Sequence, residues 1–161
     1  DNANLRERPR TAQVTGEAKF VEVIVKNTEA QSPLIDSTKQ FFVTFKIDSK
    51  SNIERELNLH ARISASGQPI LSFNSEFTNN RFKLVKGINT FTCEINPTNL
   101  AGGTYSVDCS LIYSDGEASL HMDEVFDAKT FTVRDFEAPA KDTYITQNTA
   151  VIYAKHHWVK D

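Results

Sequence analysis

The sequence predicts an antiparallel β-sandwich of about nine strands, and three observations carry that prediction. Residues 104–113 alternate without a break. Tyr105, Val107, Cys109, Leu111 and Tyr113 fall on one side, and Ser106, Asp108, Ser110 and Ile112 on the other. A period of two with one apolar side marks a half-buried strand. Composition also favours sheet, since 11 Phe and 4 Tyr accompany many Val, Ile and Thr against a single Met. Turn signals recur at short intervals, among them Asn96-Pro97, Gly102-Gly103 and Asp115-Gly116.

Residues 1–17 are polar, with Arg6, Arg8, Pro9 and Arg10 and no periodicity, and read as a linker or as a segment ordered by contacts outside this stretch of protein. The sandwich unit is expected over 18–134. Its first strand, 18–27, is apolar on both sides, with Val21, Val23 and Val25 set against Phe20 and Ile24, as in a covered strand. Residues 39–48 place Phe41, Val43, Phe45 and Ile47 inward and leave Phe42 on the wet side, where packing under a loop is expected. Residues 56–65 place Leu57, Leu59, Ala61 and Ile63 inward. The Ser66-Gly67-Gln68 loop then predicts a hairpin with a left-handed glycine, setting Ile63 opposite Leu71 and Ala61 opposite Phe73.

The stretch 77–86 is less regular, with a turn at Asn79-Asn80, and 88–95 points Phe91, Cys93 and Ile95 inward. The run from Leu100 through Gly102-Gly103 to Tyr105 has the form of a corner at which a sandwich chain crosses between sheets, a Tyr hydroxyl bonding the backbone just upstream. Residues 118–122 return after the Asp115-Gly116 turn, 125–128 read as a helical turn or a bulge, and 129–134 place Phe131 and Val133 inward. A hinge over 135–142, with Pro139, leads to a strand-like segment at 143–159. Ala150, Ile152 and Ala154 there alternate with Val151 and Tyr153, so both faces need covering. A tethered strand of that kind predicts a homodimer in which it completes a neighbour's sheet.

At 161 residues the chain fits one domain with a core of its own. The net charge of -3, with acids and bases interspersed, gives no electrostatic footprint for nucleic acid or anionic lipid. No run reaches the length of a membrane span and no signal-peptide pattern opens the chain. The start at Asp1 is what a piece of a longer protein would show. Cys93 and Cys109 both lie on apolar phases and are expected as reduced thiols, a disulfide requiring strands that bring them face to face. No Asn-x-Ser/Thr acceptor occurs with x other than Pro, so nothing insists on secretion.

Catalytic patterns are missing from the sequence. Gly102-Gly103 leads into a strand, not a helix, and cannot form a phosphate loop. His156 and His157 would point to opposite faces of a strand, a poor geometry for one metal ion. His121 with Asp115 and Asp123 reads as a solvated hairpin, and Asp123-Glu124 as an exposed acidic pair. There is no Gly-x-Ser-x-Gly elbow, and neither Cys has an evident His partner. The domain reads as non-catalytic, with no cofactor and no metal.

The run from Ile95 to Asp135, INPTNLAGGTYSVDCSLIYSDGEASLHMDEVFDAKTFTVRD, is similar to the C-terminal half of the substrate-recognition domain of O-antigen polysaccharide ABC transporters of the Wzt type. The shared pattern is a Leu-x-x-Gly-x-Tyr-x-Val corner and an acidic stretch before Phe-x-Val, here Leu100, Gly103, Tyr105, Val107, Asp127, Ala128, Phe131 and Val133. The opening VTGEAKFVEVIVKN, residues 14–27, also resembles that family, and the similarity covers roughly 14–135. The resemblance implies an immunoglobulin-like sandwich that recognises a completed O-polysaccharide, often by its modified non-reducing end. It also implies a place in the cytoplasm at the inner face of the inner membrane, an upstream ATPase domain and membrane-subunit partners. Two other readings stand beside it: a structural sandwich that mediates oligomerisation, and a secreted adhesin or carbohydrate-binding module. The last would need an aromatic platform, for which Phe42 alone is too little.

Sugars bind through hydrogen-bonding side chains on a shallow surface. In an immunoglobulin-like strand order the richest outward set is Asn58, His60 and Arg62, beside Asp108 and Ser110 of the central strand and flanked by Thr130 and Thr132. Arg62 and Asn58 offer donors, Asp108 an acceptor and His60 either. The planar fork of Arg62 also suits phosphate oxygens. The plain alternative is a solvated sheet face on which Arg62 and Asp108 form a weak surface ion pair. A second candidate patch is Tyr153, His156 and Trp158, whose rings suit stacking on sugar.

Overall fold

The alternation of apolar and polar side chains builds two sheets that close on each other. In chain order the strands are β1 (Ala18–Asn27), β2 (Leu34–Ile35), β3 (Phe41–Ser49), β4 (Ile53–Ala65), β5 (Gln68–Ser72), β6 (Phe82–Leu84), β7 (Gly87–Ile95), β8 (Gly103–Asp115), β9 (Ala118–Val133), β10 (Phe136–Glu137) and β11 (Tyr144–Ile145). The computed structural model describes residues 4–10, 13–28, 32–138, 142–147 and 151–152. One sheet runs β1-β3-β7, the other β2-β9-β8-β4-β5 with β6 also on β4, and β10 pairs with β11. Main-strand pairings are antiparallel, and the two-residue β2 runs parallel to β9. This is an immunoglobulin-like β-sandwich.

Its core lies between the inward sets expected of β3, β4 and β8, all of which are buried. The Phe45 ring sits near the centre, 6.1 Å from Phe20 and 6.3 Å from Phe73. Phe42 is half-buried on the outer face of β3, flanked by Lys26 and Glu94. The β4–β5 hairpin takes the expected register, with Ile63 opposite Leu71 and the Phe73 amide donating to the Ala61 carbonyl at 2.9 Å. Left-handed backbone falls on both Ser66 (φ 48°) and Gly67 (φ 76°).

The corner forms as the sequence implies. Tyr105, buried, donates its hydroxyl to the Ala101 carbonyl at 2.7 Å. Gly102 is obligatory there, because a Cβ at that position would fall 1.8 Å from Asp135 Oδ1. The described part of the C-terminal segment folds back onto this corner of its own chain. Gly102 donates to the Ile145 carbonyl at 3.2 Å, Gln147 to that of Gly102 at 2.9 Å and Ala101 to that of Val151 at 2.8 Å. The rest of the segment expected at 143–159 lies outside the described residues.

Three expectations need correction. In β1 a bulge between Phe20 and Glu22 reverses the phase, so Phe20 and Val23 are both buried while Val21 is not, and the grouping of Val21 with Val23 fails. The Asp123-Glu124 pair is not an exposed turn. It lies inside β9, with Asp123 facing inward opposite Leu111 at 0% exposure and Glu124 facing outward opposite Ser110.

The segment before β1 is packed rather than loose over its described part. Leu5 is in the core, and Arg10 is buried against Asp123. An inward carboxylate must be paired and hydrogen-bonded to be tolerated. Arg10 meets that need with Nε at 2.6 Å from Asp123 Oδ1 and Nη2 at 3.2 Å from Oδ2. Its remaining donors reach the carbonyls of Phe20 (3.0 Å), Leu5 (2.8 Å) and Arg8 (2.8 Å). All five guanidinium N–H groups are thus used. The Phe20 amide completes the carboxylate's shell at 2.7 Å.

Cys93 and Cys109 are free and lie on β7 and β8, in opposite sheets. Burial pushes both thiols up, Cys109 far above its usual range.

Asp123→Asn leaves the Arg10 charge buried without its counter-ion, a loss of about 3–5 kcal/mol. At roughly 2–4 °C per kcal/mol for a domain of this size, the melting temperature should fall by roughly 6–20 °C. A calorimetric shift of only a degree or two would mean that the pair is not holding the fold.

Candidate functional site

The outward face of β4, β8 and β9 carries a hollow of about 420 Å³, lined by His60, Arg62, Ser72, Asn74, Asp108, Ser110, Ile112, His121, Glu124 and Phe126. Strand register sets its floor in rows. Arg62 lies opposite Asp108, His60 opposite Ser110 and Ser110 opposite Glu124, and Ile112 is flanked by Asn58 and His121.

Two irregularities raise the walls. On one side β5 ends at Ser72, which would leave β4 amides without ladder partners. Asn74 Oδ1 takes the Ala61 amide at 3.2 Å and Ser75 Oγ takes that of Leu59 at 3.0 Å, so the chain turns away through a short 3-10 turn, Ser75–Thr78. On the other side β9 bulges: Val107 pairs with Lys129 and Cys109 with Val125, so residues 126–128 face Asp108 alone. The bulge puts Asp127 at φ 50° and lifts Phe126 to 51% exposure. The expected helical turn or bulge at 125–128 is therefore a bulge.

Asp108 is the frame of this site. Its Oδ2 accepts from Arg62 Nε at 2.8 Å and Ser64 Oγ at 2.9 Å, and its Oδ1 from the Asp127 amide at 2.7 Å. A carboxylate with three in-chain donors and 8% exposure is not the open acceptor that the sequence suggested. The pair with Arg62 is likewise half-buried rather than a solvated surface contact. The bond uses Nε of Arg62, so the two Nη nitrogens carry its other donors. Its guanidinium lies 5.6 Å from the Phe126 ring centre, within cation–π range.

The remaining polar groups line the floor and rim. Ser110 Oγ donates to Glu124 Oε2 at 3.2 Å. His121 Nδ1 lies 3.3 Å from the same oxygen and His60 Nε2 lies 3.0 Å from Glu76 Oε1, but neither nitrogen is aligned as a hydrogen bond. Asn58 Oδ1 is buried without a partner, and its amide only reaches Glu76 at 3.5 Å.

Of the residues expected at the site, the structure brings His60, Arg62, Asp108 and Ser110 together and sets Asn58 at the margin. Thr132 stands apart. It is opposite Thr104 on β8, four to six residues from Asp108 and Ser110, or roughly 14–20 Å at strand rise. Sequence reasoning missed His121, Glu124, Asn74 and Phe126. A register shift between Leu111 and Ile112 puts His121 outward, Met122 and Asp123 inward and Glu124 outward, so no single period shows the phase. The alternative patch of Tyr153, His156 and Trp158 lies outside the described residues.

Two other hollows occur among the described residues. A cleft of about 250 Å³ lies beside Asp36 and Arg134. Burial works against the Asp36 charge, but the hydroxyl and amide of Thr38 and the Arg134 guanidinium hold its carboxyl below the ordinary value of 3.8. An apolar groove of about 380 Å³ opens beside β7, lined by Phe73, Phe77, Phe82 and Phe91 among others.

The fold and site together define a β-sandwich with a polar hollow on one sheet face, walled by an aromatic side chain. The chain belongs to the Wzt C-terminal domain family, whose model matches residues 10–147. That family serves O-antigen transport, as part of an ABC transporter. Among solved structures, the crystal structure of the C-terminal domain of wzt superposes with a TM-score of 0.68, covering 97% of this chain and 96% of that one at 11% identity, and so shares the fold. A putative beta-galactosidase from Bacteroides fragilis gives a TM-score of 0.49 at 19% identity, covering 80% of this chain and 19% of its own, too weak a likeness to bear on function. No curated protein matches by sequence.

Asp108→Ala removes the shared acceptor of three donors and should cost about 3 kcal/mol or more in urea unfolding. Ser110→Ala, on the open floor, should stay within about 0.5 kcal/mol of the parent. Equal stability of the two variants would mean that Asp108 is not the frame.

Proposed function

We propose that the domain recognises a completed O-polysaccharide, at its non-reducing end, in the hollow over β4, β8 and β9, and does so without catalysis. One observation carries this reading: polar side chains of both hydrogen-bonding senses converge on a shallow sheet face beside an exposed aromatic ring, Phe126. Sugars need that combination, since hydroxyls must be matched by donors and acceptors while a ring face packs on an apolar surface. The family's role in O-antigen transport supports this class of glycan. In this reading the domain works on the cytoplasmic side of the inner membrane, beside the ATPase and membrane subunits of the transporter. The expected homodimer belongs to the same proposal: the segment after Asp142, whose described residues lie on the corner of their own chain, would take the equivalent place on a neighbour.

Titration calorimetry with a panel of O-chains released from lipopolysaccharide tests the site. Arg62→Ala should weaken binding by about 10- to 100-fold, the worth of a charge-assisted hydrogen bond, and lower the melting temperature by a few degrees because Asp108 loses one of its three donors, while Phe126→Ala should weaken binding with the melting temperature little changed. Parent-like binding by both variants would move the site elsewhere, and a parent that binds no O-chain would favour a structural sandwich. Deletion after Asp142 should shift sedimentation to monomer. A persisting dimer would exclude strand exchange.

A further inference from the structure

The segment before β1 reaches the wall of the hollow from behind. Arg8 Nη1 donates to the Phe126 carbonyl at 2.9 Å and to the Asp127 carbonyl at 2.7 Å. Asp108 holds the same bulge from the other strand through the Asp127 amide at 2.7 Å. The peptide groups on either side of Asp127 are therefore clamped by two charged side chains more than a hundred residues apart in sequence for Arg8, and 19 apart for Asp108. Such a clamp suits a residue with its backbone at φ 50°, a conformation that costs a non-glycine residue about 1–3 kcal/mol and persists only when its surroundings impose it. Arg8 is in turn fixed by Arg10, whose Nη1 binds the Arg8 carbonyl at 2.8 Å while its Nε and Nη2 bind the buried Asp123.

We propose that Arg8 is a positioning residue for the hollow: by holding the 126–127 carbonyls it sets the height and orientation of Phe126 and, through the Asp127–Asp108 bond, the seat of Arg62. This rests on the recognition reading only where it speaks of glycan affinity. The positioning itself concerns the unliganded protein. Both bonds come from one nitrogen, so the ammonium of a lysine can replace them, whereas alanine cannot.

The test compares Arg8→Ala and Arg8→Lys with the parent by amide hydrogen exchange, melting temperature and O-chain calorimetry. In Arg8→Ala the Asp127 amide should exchange about tenfold faster or more, the order that a hydrogen bond to a charged group supplies, with the melting temperature within a few degrees of the parent. O-chain affinity should fall by a similar factor, and Arg8→Lys should recover most of both losses. A merely structural role would move exchange across the whole domain together with the melting temperature, and would overturn the inference. Parent-like exchange at Asp127 in Arg8→Ala would also overturn it, as would a freed bulge with undiminished affinity. If the parent binds no O-chain, the recognition reading fails, and exchange at Asp127 with its rescue by lysine still decides the positioning.

Discussion

The guanidinium of Arg10 and the carboxylate of Asp123 form the contact on which the edges of this fold depend. The pair joins three pieces of chain: the segment before β1, β1 itself through both the amide and the carbonyl of Phe20, and β9. Because β1 and β9 belong to opposite sheets, it also links the two layers. Two further bonds, from Thr15 and Gly16 to the carbonyls of His121 and Met122 at 3.0 and 2.9 Å, lay the incoming chain along β9. A buried ion pair of this kind is a weak source of net stability compared with apolar packing. Losing one partner is nevertheless expensive, and that asymmetry makes the arrangement specific.

The hollow follows from the same constraint. With the N-terminal segment fixed behind β9, the strand can carry extra residues without fraying, and the bulge at 126–128 becomes a wall instead of a defect. Polar and charged side chains divide into two groups. Asp108, Arg10 and Asp123 are spent on the frame, while His60, Ser110, Glu124 and the outer edge of Arg62 face the space that the frame encloses. Preorganisation of this sort reduces the ordering cost of holding a flexible glycan.

Where alternation was unbroken, the fold was legible in the sequence. The inward sets of β3, β4 and β8, the Ile63–Leu71 register and the Tyr105 corner all follow from a period of two and from turn chemistry. Legibility failed where the pairing slips, by one residue at Val21 and at Met122 and by two at 126–128. A one-residue slip flips every side chain beyond it, which is why Asp123 looked solvent-facing and why Glu124 escaped notice, whereas the bulge lifts Phe126 out of the ladder without changing the phase beyond it. Arg10 was hidden for another reason, since nothing local distinguishes an arginine bound for the core from one in a linker. Thr132 carried the right phase, but only the pairing of Thr104 with it reveals how far along the sheet it lies.

The central claim is that the bulged face of β4, β8 and β9 is where the glycan is read. Amide chemical-shift mapping, with the protein titrated by O-chains released from the lipopolysaccharide of the encoding organism, tests it most directly. Saturable shifts clustered at Arg62, Ser110, Glu124 and residues 126–127 are the predicted result. Shifts confined to the groove at Phe77 and Phe91, or to the cleft at Asp36 and Arg134, would contradict the account.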